Sequence, residues 1–129
     1  MSGNQEKSCI NGLVHSLHRA SQCADDLFAE TIDDKSLTAR QLVVLEIVAG
    51  HNKPSQTEIC EKSGIDRSTV ADIVRRLIKK GYLMRRRTRF DARRYAVQLT
   101  DEGRRALEHA LPHVRDIEER LASALEPKQ

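Results

Sequence analysis

Hydrophobic residues recur every three or four positions along most of this chain, and this spacing predicts a mainly helical fold. The first apolar stripe predicts a helix within residues 8–32, and the last predicts a helix over residues 100–126. The segment after Thr38 is apolar on almost every side up to Gly50, which is typical of a helix at the centre of a core. Thr38 and Gln41 have the capping-box spacing that starts such a helix.

Two further helix starts stand close together in the middle of the chain. Ser55 and Glu58 form a second capping box, and Gly64 is the residue type that ends the short helix behind it. Asp66 can cap a longer helix, which Gly81 ends. Apolar residues at helical spacing give this longer helix one buried face, formed by Val70, Ile73, Val74 and Leu77. Two helices in this order predict a helix-turn-helix.

A β-hairpin is predicted directly after these helices. Residues 82–87 and 94–99 read as strands, and Tyr95, Val97 and Leu99 share one face of the second strand. The fold class expected from this order is α+β, mainly α with a small β-hairpin wing. The architecture is a winged helix-turn-helix with a long helix on either side. The last helix carries a long apolar stripe for so small a domain, so we expect a second subunit to cover it.

Charge is segregated along the chain. Residues 66–94 contain eleven Lys or Arg against three Asp or Glu, whereas the whole chain has a net charge of only +3. A basic segment on a nearly neutral chain is typical of a phosphate-binding surface. The alternative is a solvated charged face. Because the basic residues coincide with the second motif helix and the hairpin, we expect this segment to bind duplex DNA.

The outward face of the second motif helix mixes hydrogen-bonding and cationic groups, as a helix that reads the major groove does. We expect Ser68 and Arg75 to contact base edges, and Ser55, Lys79 and Lys80 to contact phosphates. The alternative is a winged helix that binds a partner protein, which would need apolar anchors on this face. The predicted DNA-binding set is Ser55, Gln56, Thr57, Arg67, Ser68, Thr69, Asp72, Arg75, Arg76, Lys79, Arg87, Arg89, Asp91, Arg93 and Arg94.

Six segments within residues 37–105 resemble the MarR family of bacterial transcription regulators, in order and at the right spacing. They are Leu37-Thr38-Ala39-Arg40-Gln41, Ser55-Gln56-Thr57-Glu58-Ile59, Arg67-Ser68-Thr69-Val70, Gly81-Tyr82-Leu83, Asp91-Ala92-Arg93 and Val97-Gln98-Leu99-Thr100-Asp101-Glu102-Gly103. The resemblance implies one domain over residues 1–129, with a winged helix-turn-helix at 37–100 between dimerisation helices at 8–32 and 100–126. It implies a homodimeric repressor that binds double-stranded DNA at a palindromic operator, with Arg93 entering the minor groove. Arg89 is the alternative residue for this role.

Composition excludes several classes of protein. A chain of 129 residues with 39% hydrophobic residues can build one modest core. Two Phe, two Tyr and no Trp are too few for the aromatic platforms that bind single strands. We see no membrane span and no signal peptide, and therefore expect a cytoplasmic protein without membrane contact. Nucleotide-binding and metalloprotease motifs are missing, so we expect no enzyme activity and no cofactor.

The regulatory input stays open among a small molecule, an oxidant and a metal ion. The resemblance implies a small-molecule crevice between the dimerisation helices and the winged domain. Its candidate polar lining is His15, His18, Arg19 and Arg40.

Cysteines and two histidines are the candidate residues for the other two inputs, an oxidant and a metal ion. Cys9 and Cys23 are candidate redox sensors, whereas Cys60 is expected to pack in the core. His109 and His113 lie four apart on one helix face and are candidates for a metal site, which Cys23 or Glu30 would complete. The alternative for both histidines is a surface role, and no metal is expected.

Overall fold

The computed structural model describes residues 12–32, 37–87 and 95–125 of the chain. Within these ranges it contains five helices and one antiparallel hairpin, which confirms the predicted fold class. The elements are α1 Leu13–Thr31, α2 Ala39–Gly50, α3 Gln56–Ser63, α4 Arg67–Lys79, β1 Leu83–Arg87, β2 Tyr95–Leu99 and α5 Asp101–Leu125. The first strand begins one residue later than predicted. The predicted start of the first helix, at residue 8, lies outside the described residues.

Side-chain caps start the helices of the helix-turn-helix, as predicted. The Thr38 hydroxyl accepts from the Gln41 N–H at 3.2 Å, and the Gln41 side chain accepts from the Thr38 N–H at 3.1 Å. Ser55 and Glu58 repeat this reciprocal pair at the start of α3. Gly64 ends α3 in the left-handed region with φ 72°, where a residue without Cβ is favoured. These local signals set the boundaries of α2 and α3 because they satisfy amides that the helix leaves unpaired.

A third extended segment pairs with the hairpin. Strands β1 and β2 run antiparallel from the Leu83–Leu99 pair to the Arg87–Tyr95 pair. On the other edge of β2, Ser55 forms a bridge with Ala96, and the Val97 N–H donates to the Pro54 carbonyl at 2.8 Å. Consequently β2 is a central strand rather than a free edge. Val97 is fully buried and Ala96, on the opposite face, is only 7% exposed.

The core surrounds α2 and the inner face of α4. Val44 and Leu45 of α2 have no exposed surface, and Phe28 of α1 and Ile117 of α5 pack into the same cluster. The sequence pattern predicted that α2 would be buried on almost every side. Val43 is an exception to this prediction, since its side chain is 40% exposed. It lines a cavity of about 220 Å³ between α1, α2 and α5.

The first turn of α5 is fastened to the end of α4. The Thr100 hydroxyl donates to the Gly81 carbonyl at 2.6 Å and accepts from the Gly103 N–H at 3.0 Å. The Thr100 N–H donates to the Tyr82 carbonyl at 3.0 Å. A Cβ at Gly103 would lie 2.1 Å from the Tyr82 carbonyl oxygen, so this close approach requires glycine. The Leu99-to-Gly103 motif therefore joins the hairpin, α4 and α5.

An apolar stripe near the start of α1 is exposed in the part of the chain that the structure describes. Leu13 is 75% exposed, Val14 69% and Leu17 60%, whereas Phe28 at the other end of the helix is buried. Neighbouring exposed apolar side chains of this kind are typical of interaction surfaces. None of the helices in the described ranges is long and apolar enough to cross a membrane.

We expect Gly103→Ala to destabilise the protein by at least about 2 kcal/mol, since the added methyl overlaps a backbone carbonyl that cannot move independently. Urea unfolding followed by circular dichroism measures this change. Gly50→Ala is the matched control because a Cβ at Gly50 has no atom within 4 Å. Equal stability of Gly103→Ala and the wild type would contradict the described packing.

Candidate nucleic-acid interface

The start of α4 depends on Asp66. Its carboxylate accepts hydrogen bonds from the Thr69 hydroxyl at 2.7 Å, the Ser68 hydroxyl at 2.7 Å and the Thr69 N–H at 3.0 Å. These bonds, chiefly that from the Thr69 side chain, lower the pKa of Asp66 from 3.8 to about 2. Asp66 therefore caps the N-terminus of α4, as the sequence predicted. The Ser68 hydroxyl already donates its hydrogen to Asp66, so the Ser68 oxygen can only accept. Ser68 is therefore suited to accept a hydrogen bond from the amino group of a DNA base.

Helix α4 has one buried face and one polar face, as the periodicity predicted. The buried face consists of Val70, Ile73, Val74 and Leu77. On the opposite face, Ser68, Arg75 and Lys79 are exposed. Arg67 and Arg76 are exposed beside them. The polar face therefore presents cations and hydroxyl groups to solvent over the length of the helix.

Asp72 lies in the middle of this polar face and pairs with two arginines. One carboxylate oxygen binds the Arg75 guanidinium, and the other accepts from Arg76 Nε at 2.9 Å. All three side chains stay in contact with solvent. The sequence placed these residues on one surface, but their sharing of a single carboxylate is a finding of the structure.

A basic cleft runs beside α4, bounded by the start of α2. It measures about 710 Å³ and is lined by Thr38, Gln41, Arg75, Arg76, Lys79 and Lys80. Four cations at one cleft favour an anionic ligand. Lys79 and Lys80, both predicted to contact phosphates, lie here.

Gln41 holds one wall of the basic cleft, a role that sequence reasoning missed. Its side chain is only 6% exposed, and Oε1 accepts from the Thr38 N–H and from Lys80 Nζ at 3.4 Å. A buried amide needs such partners because its desolvation is costly. The capping box signalled only the local contact, since no sequence pattern links residues 39 positions apart. Gln41 thereby joins the first turn of α2 to the end of α4.

The other predicted DNA-binding residues lie at the start of α3 and on the hairpin. The Ser55 hydroxyl accepts from the Glu58 N–H at 3.1 Å, Gln56 is half-buried and Thr57 is exposed. Arg87 is exposed, with its guanidinium 5.9 Å from the centre of the Tyr95 ring. The remaining predicted hairpin residues, Arg89, Asp91, Arg93 and Arg94, lie outside the described residues.

Comparison with known proteins places this arrangement in a family. The MarR family model matches residues 37–95, which run from the start of α2 into β2. The chain is also 30% identical over 105 residues to the transcriptional repressor NicR of Pseudomonas putida, a match covering 81% of this chain and 66% of that repressor. The protein belongs to the MarR family. It spans about two thirds or less of the length of the curated MarR-type relatives it matches.

Solved structures of MarR-type regulators have the same fold. The Bordetella bronchiseptica regulator BpsR, whose DNA binding is regulated by 6-hydroxynicotinic acid, matches with a TM-score of 0.84 and 29% identity over 93% of this chain and 86% of that one. The repressor CouR bound to a 23-mer DNA duplex matches with a TM-score of 0.79 and 28% identity over 97% and 86% of the two chains.

A cavity lies between α1 and the start of α2, and one of the four residues predicted to line the effector crevice, Arg40, contributes to its wall. It measures about 500 Å³ and includes Phe28, Asp25 and Arg40 in its lining. His15, His18 and Arg19 are exposed on the early turns of α1, and the structure does not bring them into this lining. The periodicity of α1 predicted its faces but not which end of the helix the rest of the fold covers.

The cysteines and histidines occupy different environments. Cys23 is exposed on α1, Cys60 is half-buried against the core as expected, and Cys9 lies outside the described residues. The rings of His109 and His113 meet edge to face, with their centroids 5.8 Å apart. Across the part of the chain that the structure describes, no three His, Cys, Asp or Glu side chains come together as a metal site would require.

We expect the carboxyl carbon of Asp66 to titrate near pH 2 in the folded protein, measured by NMR. Because the folded pKa lies below 3.8, ionised Asp66 adds stability that is complete above pH 3.8 and is lost as the pH falls towards 2. Above pH 3.8 the wild type should therefore melt at a higher temperature than Asp66→Asn. This difference should shrink as the pH falls from 3.8 towards 2. A constant difference between the two proteins from pH 5 to pH 2 would contradict the described cap.

Proposed function

We propose that this protein is a transcriptional repressor that binds a specific duplex DNA sequence. The observation that supports this most is the exposed basic face of α4, which continues into the basic cleft beside α2. Backbone phosphates bind such cations, and base edges bind Arg and Ser side chains. The MarR family consists of transcription regulators, which is not an enzyme class.

The exposed groups of α4 favour DNA over a protein partner. A partner-binding helix presents large apolar or aromatic anchors. Among the described residues, the large hydrophobic side chains that are exposed lie on α1, α2 and the hairpin, and α4 contributes none. Helix α4 is therefore chemically suited to a nucleic acid.

The exposed stripe of α1 supports binding as a homodimer. Leu13, Val14 and Leu17 lie on the helix that packs against α5, and a second copy would cover them. A twofold dimer presents two copies of α4 to successive major grooves, so its half-sites are inverted and about 34–36 Å apart. The operator is accordingly a palindrome.

We expect selection from a random duplex pool, followed by footprinting, to yield an inverted repeat bound by a dimer. Arg75→Ala should cost about 1–3 kcal/mol on this operator and relax its sequence preference, because a base-edge contact is lost. Lys80→Ala should weaken operator and random DNA alike and reduce the salt dependence, because a phosphate contact is lost. Light scattering establishes the stoichiometry. A monomer bound to a single unrepeated site would refute the dimer.

The 500 Å³ cavity between α1 and α2 is the proposed effector site. Its wall is largely apolar, with Phe28 buried at one side, Asp25 as an acceptor and Arg40 as a cation. This combination suits a small aromatic carboxylate that also carries a hydrogen-bond donor. BpsR is regulated by 6-hydroxynicotinic acid, a molecule of this class. We therefore propose an aromatic acid as the effector that releases the DNA.

We expect 6-hydroxynicotinate to bind the dimer and weaken its hold on the operator, and Arg40→Ala to lower the ligand affinity about tenfold or more through loss of a charge-assisted hydrogen bond. Calorimetry measures the affinity, and fluorescence anisotropy of labelled operator measures the release. Arg19→Ala is the control because Arg19 is an exposed cation outside the cavity lining. Benzoate, which lacks the ring donor, should bind more weakly. Equal losses in both variants would remove Arg40 from the site.

A further inference from the structure

The ion-paired cluster on α4 combines one acid with two bases on the surface that meets DNA. Asp72 is 39% exposed at its side chain, and its partners Arg75 and Arg76 are 71% and 66% exposed. Arg76 binds Asp72 through Nε at 2.9 Å, which leaves both of its terminal amino groups available. Arg75 binds the other carboxylate oxygen through Nη2. One carboxylate thus holds two guanidinium groups at adjacent positions.

This cluster is poorly suited to a role in stability. Pairs between exposed side chains contribute little to folding because water and salt screen them. A carboxylate on a DNA-binding face also repels backbone phosphates, so its presence weakens non-specific binding. Both features point to a role in discrimination between DNA sequences.

We propose that Asp72 sets the sequence specificity of α4 as a positioning residue. It holds Arg75 and Arg76 for base-edge contact and opposes their binding to backbone phosphates. Because Arg76 is held through Nε, its two terminal amino groups remain as a fork, which matches the two acceptors of guanine in the major groove. A phosphate that approaches the same arginines meets the Asp72 charge. This inference rests on the proposed DNA-binding function and adds a residue that selects among sequences.

Two substitutions of Asp72 distinguish the effect of its charge from the effect of its position. Asp72→Asn keeps the size of the side chain and removes the charge. Asp72→Glu keeps the charge and moves the carboxylate by one methylene. If Asp72 acts as proposed, the first change raises binding to random DNA, and the second leaves that binding low while disturbing the contact with the operator.

Asp116 on α5 offers a matched control. It pairs with Arg120 at 3.3 Å, with the same spacing as the Asp72–Arg76 pair and with similar exposure. Asp116→Asn therefore makes the same change in net charge on a different helix. Any effect that Asp72→Asn shares with Asp116→Asn arises from net charge alone.

The experiment measures dissociation constants of the full chain for two duplexes of equal length, one selected by the wild type from a random pool and one of random sequence, at several salt concentrations. For Asp72→Asn we expect tighter binding to random DNA, a steeper salt dependence and an operator-to-random ratio reduced by about tenfold. Asp116→Asn should keep the wild-type ratio. Thermal melts compare the folding of all variants.

Three results would overturn the proposal. The first is an Asp72→Asn ratio equal to that of the wild type, and the second is an equal change in Asp116→Asn. The third is a new preferred base with unchanged random binding, which would assign Asp72 a direct contact with a cytosine amino group. A wild type that selects no sequence at all would instead contradict the proposed function, so the two failures are distinguishable.

Discussion

The hydrogen bonds of Thr100 fix the position of α5 relative to the end of α4 and the start of the hairpin. One hydroxyl group donates to the carbonyl of Gly81, where α4 has just ended, and accepts from the amide of Gly103 in the first turn of α5. Since the Tyr82 carbonyl also packs directly on Gly103, no side chain separates the hairpin from α5. The direction of α4 is therefore tied to α5, the long helix that packs against α1. The junction thus places α5 in direct backbone contact with the segment that follows α4.

Local signals predicted most of the helix-turn-helix because they depend on neighbouring residues. Thr38, Ser55 and Asp66 cap helices within three positions of themselves, so their spacing along the chain was sufficient. The buried face of α4 followed from the helical period for the same reason. Fold class and element order follow from these local signals, and the structure confirms both.

Contacts between distant elements could not be derived in this way. The bridge from Ser55 to Ala96 and the contact from Gln41 to Lys80 depend on how elements pack together, which periodicity does not encode. For the candidate effector site, the lining depends on which turns of α1 lie against α2, so Arg40 lines the cavity whereas His15 does not. The sharing of Asp72 between two arginines required side-chain positions that spacing alone leaves open.

Thr38 connects the proposed effector site to the proposed DNA-binding surface. It lines both the 500 Å³ cavity and the basic cleft, and its N–H binds the same Gln41 oxygen that accepts from Lys80. A ligand that displaced the first turn of α2 would move that oxygen away from Lys80, the cation that donates to it. Because coupling between two binding sites is reciprocal, DNA that orders Lys80 equally favours one arrangement of the cavity. The buried amide of Gln41 is thus the contact that links the proposed effector site to the proposed DNA-binding surface.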